Sequence, residues 1–520
     1  MEVSSQAASL AEAAEVSETV SITPAQTDSL TVESTLGWVR GKTINEGKVR
    51  AFLGLPYATP PVGDLRWRAP QPAVRWEGVR EAVAFGPHCP QNVVFEDMVF
   101  QDPGPSEDCL YLNVYAPAGV AGGGKLPVMF WIHGGAYVSG SASEPRHTGE
   151  FLPLKGVVLV TVNYRVGVLG FLATPELAAE GGGAAGNYGL MDLVAALEWV
   201  QANIERFGGD AGNVTIFGES AGSFAVSTLM AAPSAHGLFH KAIGESGSAF
   251  SGMLALDNLE SRASKCAEWA ASIGLDTLDQ LRATPAEKLL EQCRDLGIGG
   301  FPPVVDGKLI VEPLAESYAA GRQAHVPLLA GSNRDEGDFF AGMTAEQWKG
   351  MARMYFKKRV NDCLALYPAE NDEQAARSAL DYGSDAFCAF SAWQWIEAHR
   401  KTGASPVYRY RLELAAPPSK FHPVAFAYHS CEIEYVFGSL DTKPECVWRA
   451  EDRQLSEQIM NYWSNFARTG DPNGAGLPVW PKYEKYNELL RLDRTIAAEP
   501  DKLRPRYEFL SEGFPPLHLQ

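Results

Sequence analysis

The 520-residue chain lacks features that mark several classes of protein. No apolar run approaches the ~18 residues of a membrane-spanning helix, so we expect no membrane span. Basic residues are scarce: 44 lysines and arginines stand against 63 aspartates and glutamates, which gives a formal net charge of −19. Nucleic acids and anionic membrane surfaces bind basic patches, so this balance argues against both as partners.

The cysteines show no metal-binding pattern. None of them occurs in Cys-x-x-Cys spacing, which argues against a zinc or redox site, and neither a metal ion nor another cofactor is expected. The eight positions are Cys89, Cys109, Cys266, Cys293, Cys363, Cys388, Cys431 and Cys446.

The first 35 residues contain no lysine or arginine, and the first basic residue is Arg40. They are rich in Ser, Glu, Ala and Thr and contain no apolar segment of signal-peptide length. A secretory signal is therefore absent, or was removed and replaced by Met1. Residues 1–33 are predicted to form a disordered leader.

The rest of the chain alternates between strand and helix patterns. Short apolar runs rich in β-branched residues are typical of strands buried on both faces. They occupy residues 128–132, 157–162, 214–217, 327–331 and 407–412. Residues 190–206 instead repeat apolar side chains at helical spacing. Strands separated by helices predict an α/β fold with a mostly parallel central sheet and helices on both faces.

No internal repeat and no linker rich in Pro, Gly or Ser divides this region. Residues 34–520 are therefore predicted to form a single domain. Helical stretches at about 254–296 and 341–400 interrupt the strand pattern, and we expect them to form cap insertions beside the site. Such sheets carry their chemistry at the carboxyl ends of the strands.

One serine lies in a strand–turn–helix pattern. The run 214–217 leads into Gly-x-Ser-x-Gly at residues 218–222, and small residues of helical character follow. The turn holds Ser220 in strained backbone at the end of a strand, before a helix N-terminus that favours negative charge. A serine nucleophile for acyl transfer requires this arrangement of strand, turn and helix. Chance alone would produce roughly 0.3 such motifs in this composition, so an ordinary glycine-rich turn is the alternative.

Longer stretches around this motif resemble the type-B carboxylesterases, the family of cholinesterases and bacterial para-nitrobenzyl-type esterases. The resemblance covers about residues 36–495. It rests on residues 207–222 and 107–115, with support from residues 52–58, 61–66, 163–165 and 186–189. It implies an α/β-hydrolase fold and ester hydrolysis through an acyl-enzyme.

A serine hydroxyl is a poor nucleophile near neutral pH, so Ser220 needs a base and an acid that orients the base. In α/β-hydrolases the chain order is serine, acid, histidine. The histidines late enough in the chain are His325, His399, His422, His429 and His518. The resemblance implies His429 as the base, because residues 431–438 match the stretch that follows the family's catalytic histidine. His422, in the same loop, is the alternative.

The acid is expected after the run 327–331, where Asp335 and Glu336 stand side by side. Spacing alone does not decide between them. The resemblance implies Glu336, and Asp335 remains the local alternative as a loop or capping carboxylate.

The loop after residues 128–132 reads His-Gly-Gly-Ala-Tyr. Stabilising an oxyanion requires preorganised N–H donors, and the resemblance implies those of Gly135, Ala136 and Ala221. Many relatives carry a third glycine where this chain has Ala136. The alanine N–H remains a donor if its φ stays negative, so we expect the width of the pocket to change more than its function.

The resemblance assigns supporting roles to two further residues. Glu219 would order water or stabilise the imidazolium, and Ser246 matches a serine that lies behind the catalytic histidine; a core polar residue is the alternative for each. Cys89 and Cys109 match the family's first disulfide. Because disulfides persist in oxidising compartments, a secreted or periplasmic protein is favoured over a cytoplasmic one.

Two departures from the cholinesterases bear on the substrate. The loop between Cys89 and Cys109 contains no tryptophan, and cholinesterases use one there to attract quaternary ammonium, so choline esters are not expected. Residues 297–300 read Gly-Ile-Gly-Gly where cholinesterases carry bulky aromatics, which predicts a roomier acyl pocket.

We therefore expect a serine carboxylesterase that acts on a small-molecule ester, with a short- to medium-chain or aromatic acid, as a monomer or dimer. An amidase, carbamate hydrolase or lipase using the same residues is the alternative. A non-catalytic adhesion or scaffold relative is disfavoured, because Ser220, Glu336 and His429 are all present.

Overall fold

The computed structural model describes residues 29–120, 122–251, 256–484 and 488–513. Residues 1–28 of the predicted leader lie outside the described residues. The prediction of disorder is wrong for the last residues of the leader, because Thr31–Glu33 forms a strand that pairs antiparallel with Trp38–Arg40. Burial of Val32 in the core explains why this short segment is ordered.

The described residues form sixteen strands: β1 (Thr31–Glu33), β2 (Trp38–Arg40), β3 (Lys42–Ile44), β4 (Val49–Pro56), β5 (Val79–Glu81), β6 (Tyr111–Pro117), β7 (Leu126–Ile132), β8 (Val158–Val162), β9 (Gly209–Glu219), β10 (Lys241–Glu245), β11 (Asp257–Asn258), β12 (Val304–Val305), β13 (Leu328–Asn333), β14 (Val407–Leu412), β15 (Glu488–Leu492) and β16 (Ala497–Pro500).

The same residues form fifteen α-helices: α1 (Gly167–Phe171), α2 (Pro175–Glu180), α3 (Tyr188–Asn203), α4 (Ala221–Ala231), α5 (Leu259–Ser272), α6 (Leu278–Ala283), α7 (Ala286–Gln292), α8 (Leu314–Ala319), α9 (Ala345–Phe356), α10 (Val360–Leu366), α11 (Asp372–Ser384), α12 (Phe390–Thr402), α13 (Ile433–Phe437), α14 (Ala450–Thr469) and α15 (Arg504–Ser511). None of them is long and apolar enough to cross a bilayer.

Eleven strands form one sheet in the order β16-β15-β14-β13-β10-β9-β7-β8-β6-β4-β3. The seven strands from β15 to β8 run parallel, and antiparallel pairs occur at both margins. The five apolar runs of the sequence coincide with β7, β8, β9, β13 and β14. The prediction of a mostly parallel sheet flanked by helices is confirmed.

Alternate residues of the central strands enter two different cores. On β7, Phe130 and Ile132 pack in the core that includes α3 and α4, whereas Met129 and Trp131 pack in the core that includes α14. Burial on both faces explains why these strands are apolar throughout rather than alternating.

The two predicted cap stretches are helical where the structure describes them. Helices α5–α7 lie in the first and α9–α12 in the second. The second has a core of its own, built around residues such as Trp348, Phe356 and Tyr382. A π-helical turn, Asp385–Ala389, joins α11 to α12.

The parallel register aligns the carboxyl ends of four neighbouring strands. Ile132 of β7 lies beside Gly218 of β9, and Glu245 of β10 lies beside Glu219. On its other side, Glu245 pairs with Gly331 of β13. The loops that follow these strands therefore emerge along one edge of the sheet, where open α/β sheets bind ligands.

Candidate active site

Ser220 lies at the sharp turn between β9 and α4. Its φ and ψ of 54° and −125° are strained for a residue with a side chain. The turn is tight enough to require glycine nearby, since a Cβ on Gly222 would collide with the Ile132 carbonyl oxygen. The Ser220 N–H donates to the Glu245 carbonyl at 2.9 Å, which ties the turn to β10. The strand–turn–helix predicted from the sequence is therefore present.

The structure brings His429 and Glu336 together, although 93 residues separate them in the sequence. His429 Nδ1 lies 3.1 Å from Glu336 Oε2. The glutamate side chain is completely buried, whereas that of His429 is 26% exposed. The other oxygen, Oε1, accepts hydrogen bonds from the Asn333 N–H and from the Ser246 hydroxyl. The carboxylate is thus held from two sides while it faces the imidazole.

The two local alternatives lie elsewhere. Asp335 faces away from His429: it forms an ion pair with Arg377 Nη1 at 2.6 Å and accepts a hydrogen bond from the Ala427 N–H at 3.2 Å. The His422 ring stacks on Tyr428, with ring centroids 3.7 Å apart, and lines a neighbouring cavity.

Glu219 contacts the other ring nitrogen of His429. Its Oε1 lies 3.3 Å from Nε2, and the carboxylate is almost completely buried. The hydrogen bonds of the described residues include none between the Ser220 hydroxyl and His429, although both residues line the same cavity. A hydrogen bond between them would require Nε2 to turn from Glu219 to Ser220.

The carboxylates determine the basicity of His429. Burial by itself would lower the pKa of the imidazole, but the negative charges of Glu219 and Glu336 outweigh burial and raise it to about 9. Burial raises the pKa of the Glu219 carboxyl, and the charge of His429 opposes that rise.

The loop after β7 is bent by three consecutive residues with positive φ, Gly135 at 103°, Ala136 at 55° and Tyr137 at 61°. A Cβ on Gly135 would collide with the Ser139 carbonyl oxygen, so only glycine fits there. Ala136 therefore does not have the negative φ that the sequence-based prediction set as a condition, but a residue with a positive φ keeps its backbone N–H as a donor.

The N–H groups of this loop are available to a ligand. Those of Gly135 and Ala136 donate no hydrogen bond to another described residue, and both residues line the cavity of Ser220. Ala221 is the first residue of α4, where N–H groups have no intrahelical partner. Three donors are therefore unoccupied near the serine.

The cavity around Ser220 has a volume of about 100 Å³ and a partly apolar wall. Its lining residues are Phe95, Asp97, Met98, Gly135, Ala136, Arg146, Glu219, Ser220, Phe387, His429 and Ser430. A neighbouring cavity of about 360 Å³ shares Asp97 and Arg146 with it. Gly297 lines a different cavity, of about 440 Å³. The widening inferred from residues 297–300 therefore does not apply to the Ser220 cavity.

Sequence reasoning missed a second buried carboxylate behind the site. The Ser246 hydroxyl lies 2.9 Å from Glu336 Oε1 and also 2.9 Å from Glu432 Oε1. Asn333 Nδ2 donates to Glu432 Oε2 at 2.5 Å. Burial and the charge of Glu336 raise the pKa of Glu432 to about 7. In the sequence, the only indication of this role is that Glu432 lies three residues after His429.

Cys388 is the other residue near the site that was missed, and no sequence pattern points to it. Its Sγ lies 3.9 Å from His429 Nδ1. Because it comes from the π-helical turn of the cap, 41 residues before His429, only the packing of the cap reveals it.

Cys89 and Cys109 are both buried and carry free thiols in the structure, rather than the implied disulfide. They are neighbours, since the hydrogen bond with Cys89, followed by burial, raises the pKa of the Cys109 thiol well above its ordinary value. The disulfide stays a prediction.

Comparison with known proteins identifies relatives over almost the whole chain. The model of the carboxylesterase family matches residues 28–509. A para-nitrobenzyl esterase of Bacillus subtilis (strain 168) is 37% identical over 508 residues, which cover 93% of this chain and 98% of that protein. Carboxylesterase 5A of Canis lupus familiaris is 38% identical over 520 residues, which cover 92% and 88%.

Solved structures agree with the sequence matches. A structure described as a PNB esterase superposes with a TM-score of 0.80 at 35% identity, over 92% of this chain and 99% of that chain. A carboxylesterase of Geobacillus stearothermophilus superposes equally well, with a TM-score of 0.80 at 34% identity.

Proposed function

Because the chain belongs to the carboxylesterase family, whose members hydrolyse carboxylic esters on the α/β-hydrolase fold, we propose that Ser220 is its nucleophile, His429 its general base and Glu336 the acid. One observation carries this assignment: the fully buried Glu336 carboxylate lies 3.1 Å from His429 Nδ1. The same histidine lines the cavity of Ser220.

Each residue has a defined role in the proposed reaction. Ser220 Oγ attacks the ester carbonyl and passes its proton to His429 Nε2, while Glu336 stabilises the resulting imidazolium through Nδ1–H. The imidazolium then protonates the departing alcohol, which leaves an acyl group on Ser220. Water, deprotonated by the same nitrogen, releases the acid. The carbonyl oxygen carries negative charge in both steps.

The oxyanion hole consists of the N–H groups of Gly135, Ala136 and Ala221. Gly135 and Ala136 line the Ser220 cavity with N–H groups that donate to no other described residue, and Ala221 directly follows Ser220 at the start of α4; these positions support the assignment. Donors fixed in advance need no reorganisation when the charge develops, so one of them is worth about 10²–10³-fold in turnover.

Glu219 and Ser246 act as positioning residues. Glu219 holds Nε2 in the resting enzyme and stabilises the imidazolium after proton transfer, which its distance of 3.3 Å supports. The Ser246 hydroxyl lies 2.9 Å from an oxygen of Glu336 and 2.9 Å from an oxygen of Glu432, so it bridges the two carboxyl groups and holds Glu336 in place.

The cavities suit an ester with a small acyl part and a larger alcohol part. Phe95, Met98 and Phe387 give the small cavity at Ser220 an apolar wall for a short or aromatic acyl group. The neighbouring cavity of about 360 Å³ can receive the alcohol part, beside Arg146. A para-nitrobenzyl esterase among the relatives supports an aromatic ester. Hydrolysis rates for para-nitrophenyl esters of increasing acyl length, and for a matched anilide, distinguish an esterase for small acyl groups from a lipase or an amidase.

The test of the nucleophile is Ser220→Ala, compared with Ser246→Ala. Ser220→Ala should lose covalent labelling by phenylmethylsulfonyl fluoride and reduce turnover by about 10³-fold or more. Ser246→Ala should retain labelling, because that hydroxyl is buried behind Glu336. Labelling of Ser220→Ala at the wild-type rate would refute the assignment.

In this proposal, the state of Cys89 and Cys109 indicates whether the enzyme is exported or cytoplasmic. Cys89 and Cys109 form a disulfide in an exported enzyme, because the two buried thiols are already neighbours. Mass spectrometry of a non-reducing digest from native cells should recover a linked Cys89–Cys109 peptide. Free thiols at both positions in a fully active enzyme would instead favour the cytoplasm.

A further inference from the structure

Three groups that can ligate a zinc ion meet on the buried side of the His429 ring. The oxygen of Glu336, the sulfur of Cys388 and Nδ1 of His429 all lie within 4.8 Å of one another. Cys388 and Glu336 are buried, and His429 is partly exposed through the active-site cavity. The proposed reaction uses the glutamate and the histidine but not the thiol.

The cap places this thiol by an unusual backbone. Phe387 and Cys388 belong to the π-helical turn Asp385–Ala389, and such turns are rare and occur frequently at functional sites. The turn presents Phe387 to the edge of the His429 ring, with centroids 4.8 Å apart, and brings the Cys388 sulfur to 3.9 Å from Nδ1.

The separations are close to those of a tetrahedral metal site. Bonds of about 2.3 Å to sulfur and about 2.0 Å to nitrogen would place the two atoms roughly 3.6 Å apart, and equal bonds to nitrogen and oxygen would place those roughly 3.3 Å apart. The structure has 3.9 Å and 3.1 Å for these pairs. For these two pairs, shifts of a few tenths of an ångström would suffice, and the sulfur lies within 4.8 Å of the Glu336 oxygen.

We propose that Glu336, Cys388 and His429 form a binding site for a thiophilic divalent cation such as Zn²⁺ or Cd²⁺, and that the bound ion switches the esterase off. A thiolate, a carboxylate and a neutral imidazole balance the two positive charges of the ion. The thiolate and the imidazole of this set favour Zn²⁺ or Cd²⁺ over Mg²⁺ or Ca²⁺.

Inhibition follows from the tautomer that the metal imposes, and this consequence rests on the proposed function. The ion bonds to Cys388 Sγ and to His429 Nδ1. The thiol loses one proton to solvent, and the imidazolium loses its Nδ1 proton to solvent as well; where the ring is already neutral, that proton moves through solvent from Nδ1 to Nε2. In either case the imidazole is then neutral and carries its single proton on Nε2. That nitrogen can no longer accept the proton of Ser220, so the nucleophile is not activated. No oxidation or reduction takes place, and a chelator restores activity.

The experiment titrates Cd²⁺ into the reduced, metal-free enzyme and into Cys388→Ser. Two signals are recorded in parallel: para-nitrophenyl ester hydrolysis, relative to each protein's own metal-free rate, and the thiolate-to-cadmium absorbance band. Wild type should bind Cd²⁺ with loss of activity that EDTA reverses. Cys388→Ser should need about 100-fold more Cd²⁺ for half-inhibition, since even the loss of an outer-shell partner of a metal ligand costs about 10–100-fold in affinity.

Cys363→Ser and Cys109→Ser are the matched controls. Cys363 is also buried, but it lies in the core of the second cap stretch. Cys109→Ser removes one thiol of the other close pair, Cys89 and Cys109. Both variants should be inhibited by Cd²⁺ like wild type. Equal inhibition of wild type and Cys388→Ser would overturn the proposed site. A third outcome is that wild type forms the cadmium band without losing activity, and that Cys388→Ser does not form the band. In that case the metal site is supported, and the assignment of His429 as the base is refuted.

Discussion

The neighbouring acids Asp335 and Glu336 contact different partners: Asp335 pairs with Arg377, and Glu336 faces His429. Glu336→Gln keeps the shape but removes the charge that stabilises the imidazolium, so turnover should fall by about 10²–10⁴-fold. Asp335→Asn loses its ion pair with Arg377, and we expect it to lower thermal stability while turnover changes less than about tenfold. Steady-state kinetics and a thermal melt of both variants check this. A larger loss of turnover in Asp335→Asn would reassign the acid.

Glu219 should determine the pH at which the enzyme becomes active. The base must be neutral, so kcat/KM rises as pH increases through the pKa of His429, which nearby carboxylates raise to about 9. Glu219→Gln removes one of those charges and should move the acidic limb of the profile down by about one pH unit or more. The profile of kcat/KM against pH measures this shift. Glu150→Gln, at an exposed glutamate, should leave the limb in place; an unmoved limb in Glu219→Gln would contradict the proposed contact.

At the scale of the element, the loop after β7 tests whether its backbone or its residue type matters. Gly135→Ala places a Cβ against the Ser139 carbonyl, which should displace the N–H donors and reduce turnover by about 10²–10³-fold. Ala136→Gly removes the strain of a φ of 55° and should keep turnover within about threefold, with equal or higher thermal stability. Kinetics and melting of the two variants distinguish them. Loss of activity in Ala136→Gly would show that the methyl group itself shapes the pocket.

At the scale of the whole molecule, the second cap stretch carries its own core and supports one wall of the site. Trp348 is fully buried there, and its Nε1 donates to the Tyr367 carbonyl at 3.0 Å. Trp348→Ala should cost about 3–5 kcal/mol of stability in this region. Activity should be lost at lower urea than the unfolding of the sheet, because Phe387 of the same stretch lines the cavity. Met354→Ala, exposed on the same helix, is the control; coincident loss of activity and of far-ultraviolet circular dichroism would argue against a separately melting cap.

The sequence by itself determined the family, the order of the parallel strands along the chain and the turn that carries Ser220. These are local properties: strand burial leaves continuous apolar runs, and a strained turn leaves glycines at fixed positions. Residue spacing left Asp335 and Glu336 as alternatives and only the resemblance implied Glu336; the tertiary structure shows that Glu336 faces His429. Only the tertiary structure decided that Ala136 has a positive φ and that Cys388 lies beside the imidazole. Each of these depends on how segments distant in the sequence pack against one another, which adjacent residues and short motifs do not encode.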